Sequence, residues 1–384
     1  MDRERRGALT RGPVRMLRTM LHAAPPLIAL VAALAATTAV AEPYLAVQTG
    51  LKCVTCHVNP SGGGMRNAFG QTWARNELAA RIVTPPGTDA AEPGWTGEVQ
   101  RYLAIGGDLR AGLTYDDTPG LDAESEFGIS RATVYAALRA IPNLLTVYVD
   151  QQLAPGGALT REAYALVTPL GGRYTVKAGK FFLPHGTRLQ DDTAFVRQIT
   201  GINFDSPDHG VELGLELPRW SAQLAVTNGT AGGGENDSTK QTSLSATHVR
   251  PRWRIGASYN YNNADLGDRE IRAAFVGFRT GPIAWLAEAD LITDDGPLGE
   301  RDTYVSLLEG NWRLRRGHNL KVTYEYFDPD DDVDEDERER YSMVWELSPM
   351  QNLQSRIGLR FYNGVPEDAA SNRDFFFAEL HLYF

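Results

Sequence analysis

The chain is 384 residues long and carries 48 acidic residues against 38 lysines and arginines, a formal net charge of −10. That balance excludes nucleic acid as a partner. After residue 41 no apolar run approaches the 18 or so residues of a spanning helix, which excludes a helical membrane protein.

Residues 1–41 differ from the rest. Six arginines (Arg3, Arg5, Arg6, Arg11, Arg15, Arg18) precede the apolar run LIALVAALAATTAVA, which ends at Ala39-Val40-Ala41. A basic head, an apolar middle and a small-x-small end predict a secretory signal peptide over 1–41. Met16 and Met20 are alternative starts, and Arg5-Arg6 without further twin-arginine pattern points to the general secretory route. Removing the peptide takes six basic and two acidic residues away and leaves a net charge of −14.

Residues 42–97 form a second unit. Cys53-Val54-Thr55-Cys56-His57 holds both cysteines of the chain and fits the attachment sequence of a c-type haem. Two thiols three apart add to the two vinyl groups of one porphyrin, and His57 then serves as proximal ligand to the iron. A closed zinc site wants four ligands, typically two such cysteine pairs, and a simple disulfide leaves His57 without a role. The expected cofactor is therefore one covalent haem c. The run NPSGGGMRNAFG follows, in which Gly62, Gly63 and Gly64 permit close approach to a flat ligand and Arg66 is a candidate propionate contact. Residues 71–83 predict a short helix with Trp73, Leu78 and Ile82 on one side, and TPPGTDAAEPG reads as a linker. A unit this small needs a staple or a partner to stay folded.

From residue 98 to 384 apolar residues alternate with polar ones. Trp253, Ile255, Ala257, Tyr259 and Tyr261 share one parity; Val211, Leu213, Leu215 and Leu217 another; Tyr341, Met343, Trp345 and Leu347 a third. Sixteen such segments, the first over 98–115 and the last over 374–384, are joined alternately by short turns and longer polar loops. These features predict an all-β fold, a sixteen-stranded antiparallel outer-membrane barrel with both chain ends on the periplasmic side. Trp220, Trp253, Trp285, Trp312 and Tyr383 suit interfacial girdles. The closing strand FFFAELHLYF, with Phe384 last, resembles the signal such barrels present to their assembly machinery. Arg139, Arg173, Lys177, Arg254, Arg272, Arg356 and Arg360 have the lumen parity of their strands.

On the outer side, DPDDDVDEDE (328–337) holds eight carboxylates and reads as a solvated or cation-bridging loop. The longest loop, 184–206, is expected to fold inward. Asp191, Asp192, Asp205 and Asp208, with His185 and His209, are candidates there for an outer cation site.

An exported chain with one haem sequence ahead of a sixteen-stranded barrel resembles the fused outer-membrane cytochrome–porins, whose best-known members oxidise ferrous iron at the cell surface. The resemblance rests on Cys53-x-x-Cys56-His57 and the Phe384 terminus. Separately, VKAGKFFLPHG (176–186) looks like a segment of the phosphate-selective porins. The first resemblance implies electron transfer between an extracellular donor, Fe²⁺ foremost, and a periplasmic carrier such as a cytochrome, with Fe(II):cytochrome oxidoreductase activity. It places the protein in the outer membrane of a Gram-negative bacterium. Two other readings stand beside it: a diffusion porin with a redox-sensing haem domain, and a barrel sheathing a partner multihaem cytochrome. The cytochrome segment is expected to enter from the periplasmic side and plug the lumen. Met65, His381 and His185 are the candidates for the sixth iron ligand.

Overall fold

The computed structural model of the chain describes residues 42–84, 94–202, 206–234, 238–264, 267–297 and 299–384. The expected signal peptide and most of the linker lie outside them. Sixteen strands, from β2 (Leu103–Asp117) to β17 (Asp374–Tyr383), pair in chain order, each antiparallel to the next. β17 pairs back with β2, Leu382 opposite Leu109, so the sheet closes on itself and leaves no edge among these strands.

Closure sorts each strand's two parities. Val211, Leu213, Ile255, Met343, Trp345 and Leu382 are exposed on the outer surface, while Glu212, Ser258, Arg340, Glu346 and His381 point into the bore and are buried there. An apolar outside around a polar inside is the arrangement of a barrel that spans a membrane. Trp220, Trp253, Trp285, Trp312 and Trp345 ring the barrel near its short turns, and Tyr259, Tyr304 and Tyr341 lie toward the opposite rim.

Three details depart from the sequence reading. The expected first strand is broken: β1 (Glu98–Gln100) turns back on β2, Glu98 opposite Ala104, and Glu98 is held by Arg139 at 2.7 Å. Strand pairing reaches further into two expected outer loops. Pairing between β10 (Trp253–Ala264) and β11 (Gly267–Thr280) runs to Ala264–Gly267, and that between β12 (Ile283–Gly296) and β13 (Gly299–Arg315) to Gly296–Gly299. Arg272 faces outward beside Glu270, because β11 turns Ile271, Ala273 and Phe275 to the lumen. Both parities of that strand are apolar, so alternation alone did not orient it.

The lumen is occupied by the chain itself. Residues 42–83 enter at the short-turn end and form α1 (Pro43–Thr49), α2 (Cys53–Cys56) and α3 (Ala68–Trp73), the last continued by a π turn over Ala74–Leu78. The expected helix over 71–83 thus begins earlier, where the Asn67 side chain accepts from Gly70 N at 2.9 Å. It ends at Leu78, because the backbone beyond pairs with barrel turns: Ala80 N donates to Ser348 O (2.7 Å) and Arg81 N to Pro349 O (3.1 Å). Trp73 and Leu78 pack on the lumen core, whereas Ile82 is exposed.

From the outer end the described part of the loop, 183–202, folds inward and carries α4 (Phe195–Gln198). Its Leu189, Ala194, Phe195 and Val196 form one apolar core with Tyr44, Leu45 and Val47 of α1 and with wall residues such as Ile271, Leu286 and Ile292. A porin lumen is ordinarily wet, so this core removes apolar surface from water inside the bore; each fully buried Val, Leu or Phe contributes about 1.5–3 kcal/mol. Polar contacts add direction. Tyr44 Oη donates to Glu346 (2.9 Å), and Lys321 lies 3.2 Å from Glu42 and 3.3 Å from Glu346.

Candidate functional site

The Cys53–Cys56 turn lies inside the barrel. His57 N closes it by donating to Cys53 O at 3.0 Å, and both thiols are free and half-buried. The chain then folds back on itself: His57 pairs with Arg66 in an antiparallel bridge, Val58 N donates to Met65 O (3.0 Å) and Asn67 N to Cys56 O (3.0 Å). Gly62, Gly63 and Gly64 make the reversal with φ of +89°, +78° and +58°, values that side-chain-bearing residues rarely adopt. Asn67 fastens the two arms, its amide reaching the carbonyls of Thr55 (3.1 Å) and His57 (3.3 Å).

The barrel wall holds this hairpin in place. Asn59 donates to Glu162 (3.2 Å) and accepts from Lys177 (3.1 Å), which itself pairs with Glu212 at 2.8 Å. Met65 N donates to Tyr148 Oη at 3.0 Å. Arg254 reaches the carbonyls of Ala46 (2.8 Å) and Leu51 (2.7 Å), and Arg66 stacks on the Tyr383 ring at 4.0 Å. From the outer side, Arg188 of the inward loop donates to Ser61 Oγ at 3.2 Å.

Between the hairpin, the wall and the inward loop is one cavity. Cys53, Cys56 and His57 line it together with Met65, His185 and His381. The attachment motif and the three candidate sixth ligands therefore share one space, although their sequence positions span most of the barrel. Met65 is buried and packs against the wall near Gly106 and Ala137. His381 Nε2 lies 2.6 Å from Asp108, which pairs with Arg110 at 3.1 Å. His185 Nε2 lies 2.9 Å from Asp290 and its Nδ1 2.7 Å from the Asn260 amide.

The donor set suits a c-type haem. Two free thiols sit on one turn, and the imidazole that follows is buried with its Nδ1 lacking a hydrogen-bond partner. Burial first, and then the Arg66 charge, push the His57 pKa down to about 4, against the pull of the Gly63 and Gly64 carbonyls. The ring is therefore neutral, the form that ligates iron. Burial likewise raises the Cys56 thiol. Arg66, Arg110, Arg131, Arg161 and Arg188 line the same cavity and present guanidinium groups of the kind that pair with carboxylates. Sequence reasoning named only Arg66 of these. Arg110, Arg131 and Arg161 have the inward parity of their strands, and that was the available signal.

Of the four aspartates proposed for an outer cation site, the three described ones take different partners. Asp191 accepts from Arg340 (3.0 Å) and Arg360 (2.9 Å) and pins the inward loop to the wall. Asp192 is largely exposed, 3.9 Å from Arg131. Asp208 is buried and accepts from the backbone of His209 (2.8 Å), Gly229 (2.6 Å) and Gly232 (3.2 Å). Asp205 lies outside the described residues. In the acidic outer loop, Asp330, Asp331 and Asp332 cluster near the surface.

The closed antiparallel barrel with its apolar exterior is the fold of the outer-membrane porins, and it places the chain in a Gram-negative outer membrane in contact with lipid. Among solved structures it is similar to a loop L8 deletion mutant of OmpT, an outer-membrane protein of Vibrio cholerae (13% identity, TM-score 0.58, covering 73% of this chain and 99% of that one). It is also similar to the anion-selective porin of Comamonas acidovorans (10%, TM-score 0.59, 73% and 99%) and to Pseudomonas putida OprB (9%, TM-score 0.54, 74% and 94%). No protein-family model matches the sequence, and no curated protein matches it.

Proposed function

We propose that the protein is an outer-membrane electron-transfer protein that carries one covalent haem c inside its barrel and passes electrons from an extracellular donor, Fe²⁺ foremost, to a periplasmic cytochrome. One observation carries this reading: Cys53, Cys56 and His57 line a cavity within the bore, under a loop that reaches in from the outer side. A haem-attachment turn below the barrel would have no route to the outside. Here Cys53 and Cys56 would hold the group covalently, His57 would be its proximal ligand, and the lining arginines would receive its propionates. When bound, haem c supplies a one-electron iron couple whose potential depends on axial ligand and burial. The chain's own residues exclude bulk water, since Leu45 and Val47 seal against Leu189 and Phe195.

A second reading is favoured by the similarity to diffusion porins: a channel whose haem segment senses redox state and gates flow. A barrel sheathing a separate multihaem cytochrome is disfavoured, because residues 42–83 occupy that bore. Purified full-length protein separates the two readings by planar-bilayer conductance together with a visible spectrum before and after anaerobic Fe²⁺. The electron-transfer reading expects little ion current and a reduced c-type band. An open channel without haem reduction would establish the porin reading instead.

A further inference from the structure

Where the inward loop leaves the wall, His185, Glu288 and Asp290 bring one imidazole and two carboxylates together. Ligand atoms of all three lie within 4.8 Å of one another. His185 Nε2 and Asp290 Oδ1 are 2.9 Å apart, close to the roughly 3 Å between neighbouring ligands bound about 2.0–2.2 Å from one ion. Glu288 is brought to the loop by its bond from Thr187 N (2.5 Å). Gly186, at φ +42°, lies directly against it, where a Cβ would be 2.0 Å from Glu288 Oε1.

Two further atoms point to an ion. Asp290 is fully buried, and its Oδ2 has no hydrogen-bond partner. Asn260 is 1% exposed and its Oδ1 is likewise without one, while its amide nitrogen touches His185 Nδ1 at 2.7 Å. Turning that amide over gives Oδ1 a partner in Nδ1–H and frees Nε2 to bind a cation. An oxygen fixing the far nitrogen of a metal-bound imidazole is the usual outer-shell partner of such a ligand.

We infer that His185, Glu288 and Asp290 bind a divalent first-row transition-metal ion, with Asn260 orienting His185. Two carboxylates neutralise the charge of such an ion. The imidazole selects zinc- or iron-like ions over Mg²⁺ and Ca²⁺, and three protein ligands leave a position open. His185, Gly186 and Thr187 line the cavity that Cys53 and His57 share, which gives the ion an approach. The inference stands without the haem reading, although it competes with His185 as an iron ligand.

The test is equilibrium dialysis of the purified full-length protein against Zn²⁺, with elemental analysis of the bound metal. Excess Ca²⁺ is present to saturate the acidic outer loop. A Cys53→Ser/Cys56→Ser form is run in parallel to remove thiolate binding, so failure of the haem reading leaves the result intact. One Zn²⁺ per chain is expected in both forms, weakened at least tenfold by His185→Gln and by Asp290→Asn, and several-fold by Asn260→Ala. Heat-modifiable gel migration verifies that each variant keeps its barrel. Absence of bound zinc, affinity unchanged in folded His185→Gln and Asp290→Asn, or a haem spectrum altered by His185→Gln would overturn the assignment.

Discussion

Arg188 and Ser61 meet at 3.2 Å in the middle of the barrel, one on a loop that descends from the outer rim and the other on a segment that enters from the turn side. The two arrive from opposite mouths, and the apolar core beside them makes their junction a seal. The lumen is closed by two parts of one chain.

Opening that seal should restore a channel. Val47 is 2% exposed in the apolar core with Ile271 of β11 and Leu286 of β12, and Val47→Asp puts a carboxylate into that core. We predict that single-channel conductance in planar bilayers rises several-fold over that of the unaltered protein. Unchanged current would show that α1 does not block the bore.

The hairpin that carries His57 depends on Gly64. Its φ is +58°, and a Cβ would lie 2.5 Å from Tyr148 Oη. Gly64→Ala should cost roughly 1–2 kcal/mol in backbone strain, with the clash in addition. The expected outcome is a lower yield of haem-loaded protein at unchanged barrel content. Tyr148→Phe in the same chain should recover part of that loss by removing the hydroxyl.

Acid should release the inward loop late. Burial acts to raise the Asp191 pKa, but Arg360 and Arg340 outweigh it and hold the carboxyl well below its usual range. A depressed carboxyl stabilises fully above its unfolded value of about 3.9, and that contribution is lost as pH falls from there through the folded value. Conductance and protease access to 184–202 should therefore stay low down to about pH 4 and rise only below it. Asp191→Asn should show raised access already at neutral pH.

The barrel was largely legible in the sequence, because strands wetted on one side and greased on the other write their parity plainly: Val211, Ile255, Met343 and Leu382 lie where alternation puts them. Legibility failed where the inner face is apolar too. On β11 the lumen residues Ile271, Ala273 and Phe275 are buried and apolar, with Ile271 in the core that α1 shares, so Arg272 was assigned to the wrong face. The Cys53–His57 turn stands out in five residues, but its surroundings do not. Tyr148, Glu162 and Lys177 come to its hairpin only through closure of the sheet, and no local pattern records which wall a hairpin will lean on. The fate of Asp191 was hidden for the same reason, since its partners Arg340 and Arg360 lie 149 and 169 residues further along the chain.

The account turns on whether the turn inside the bore carries a covalent haem. The most direct measurement is the visible spectrum of the full-length protein extracted from outer membranes, recorded after denaturation and again after anaerobic Fe²⁺ is added to the native form. A c-type spectrum that survives denaturation, disappears in Cys53→Ser/Cys56→Ser and is reduced by Fe²⁺ is the predicted result. Protein recovered from the outer membrane of a haem-attaching host with no bound porphyrin absorbance would contradict it.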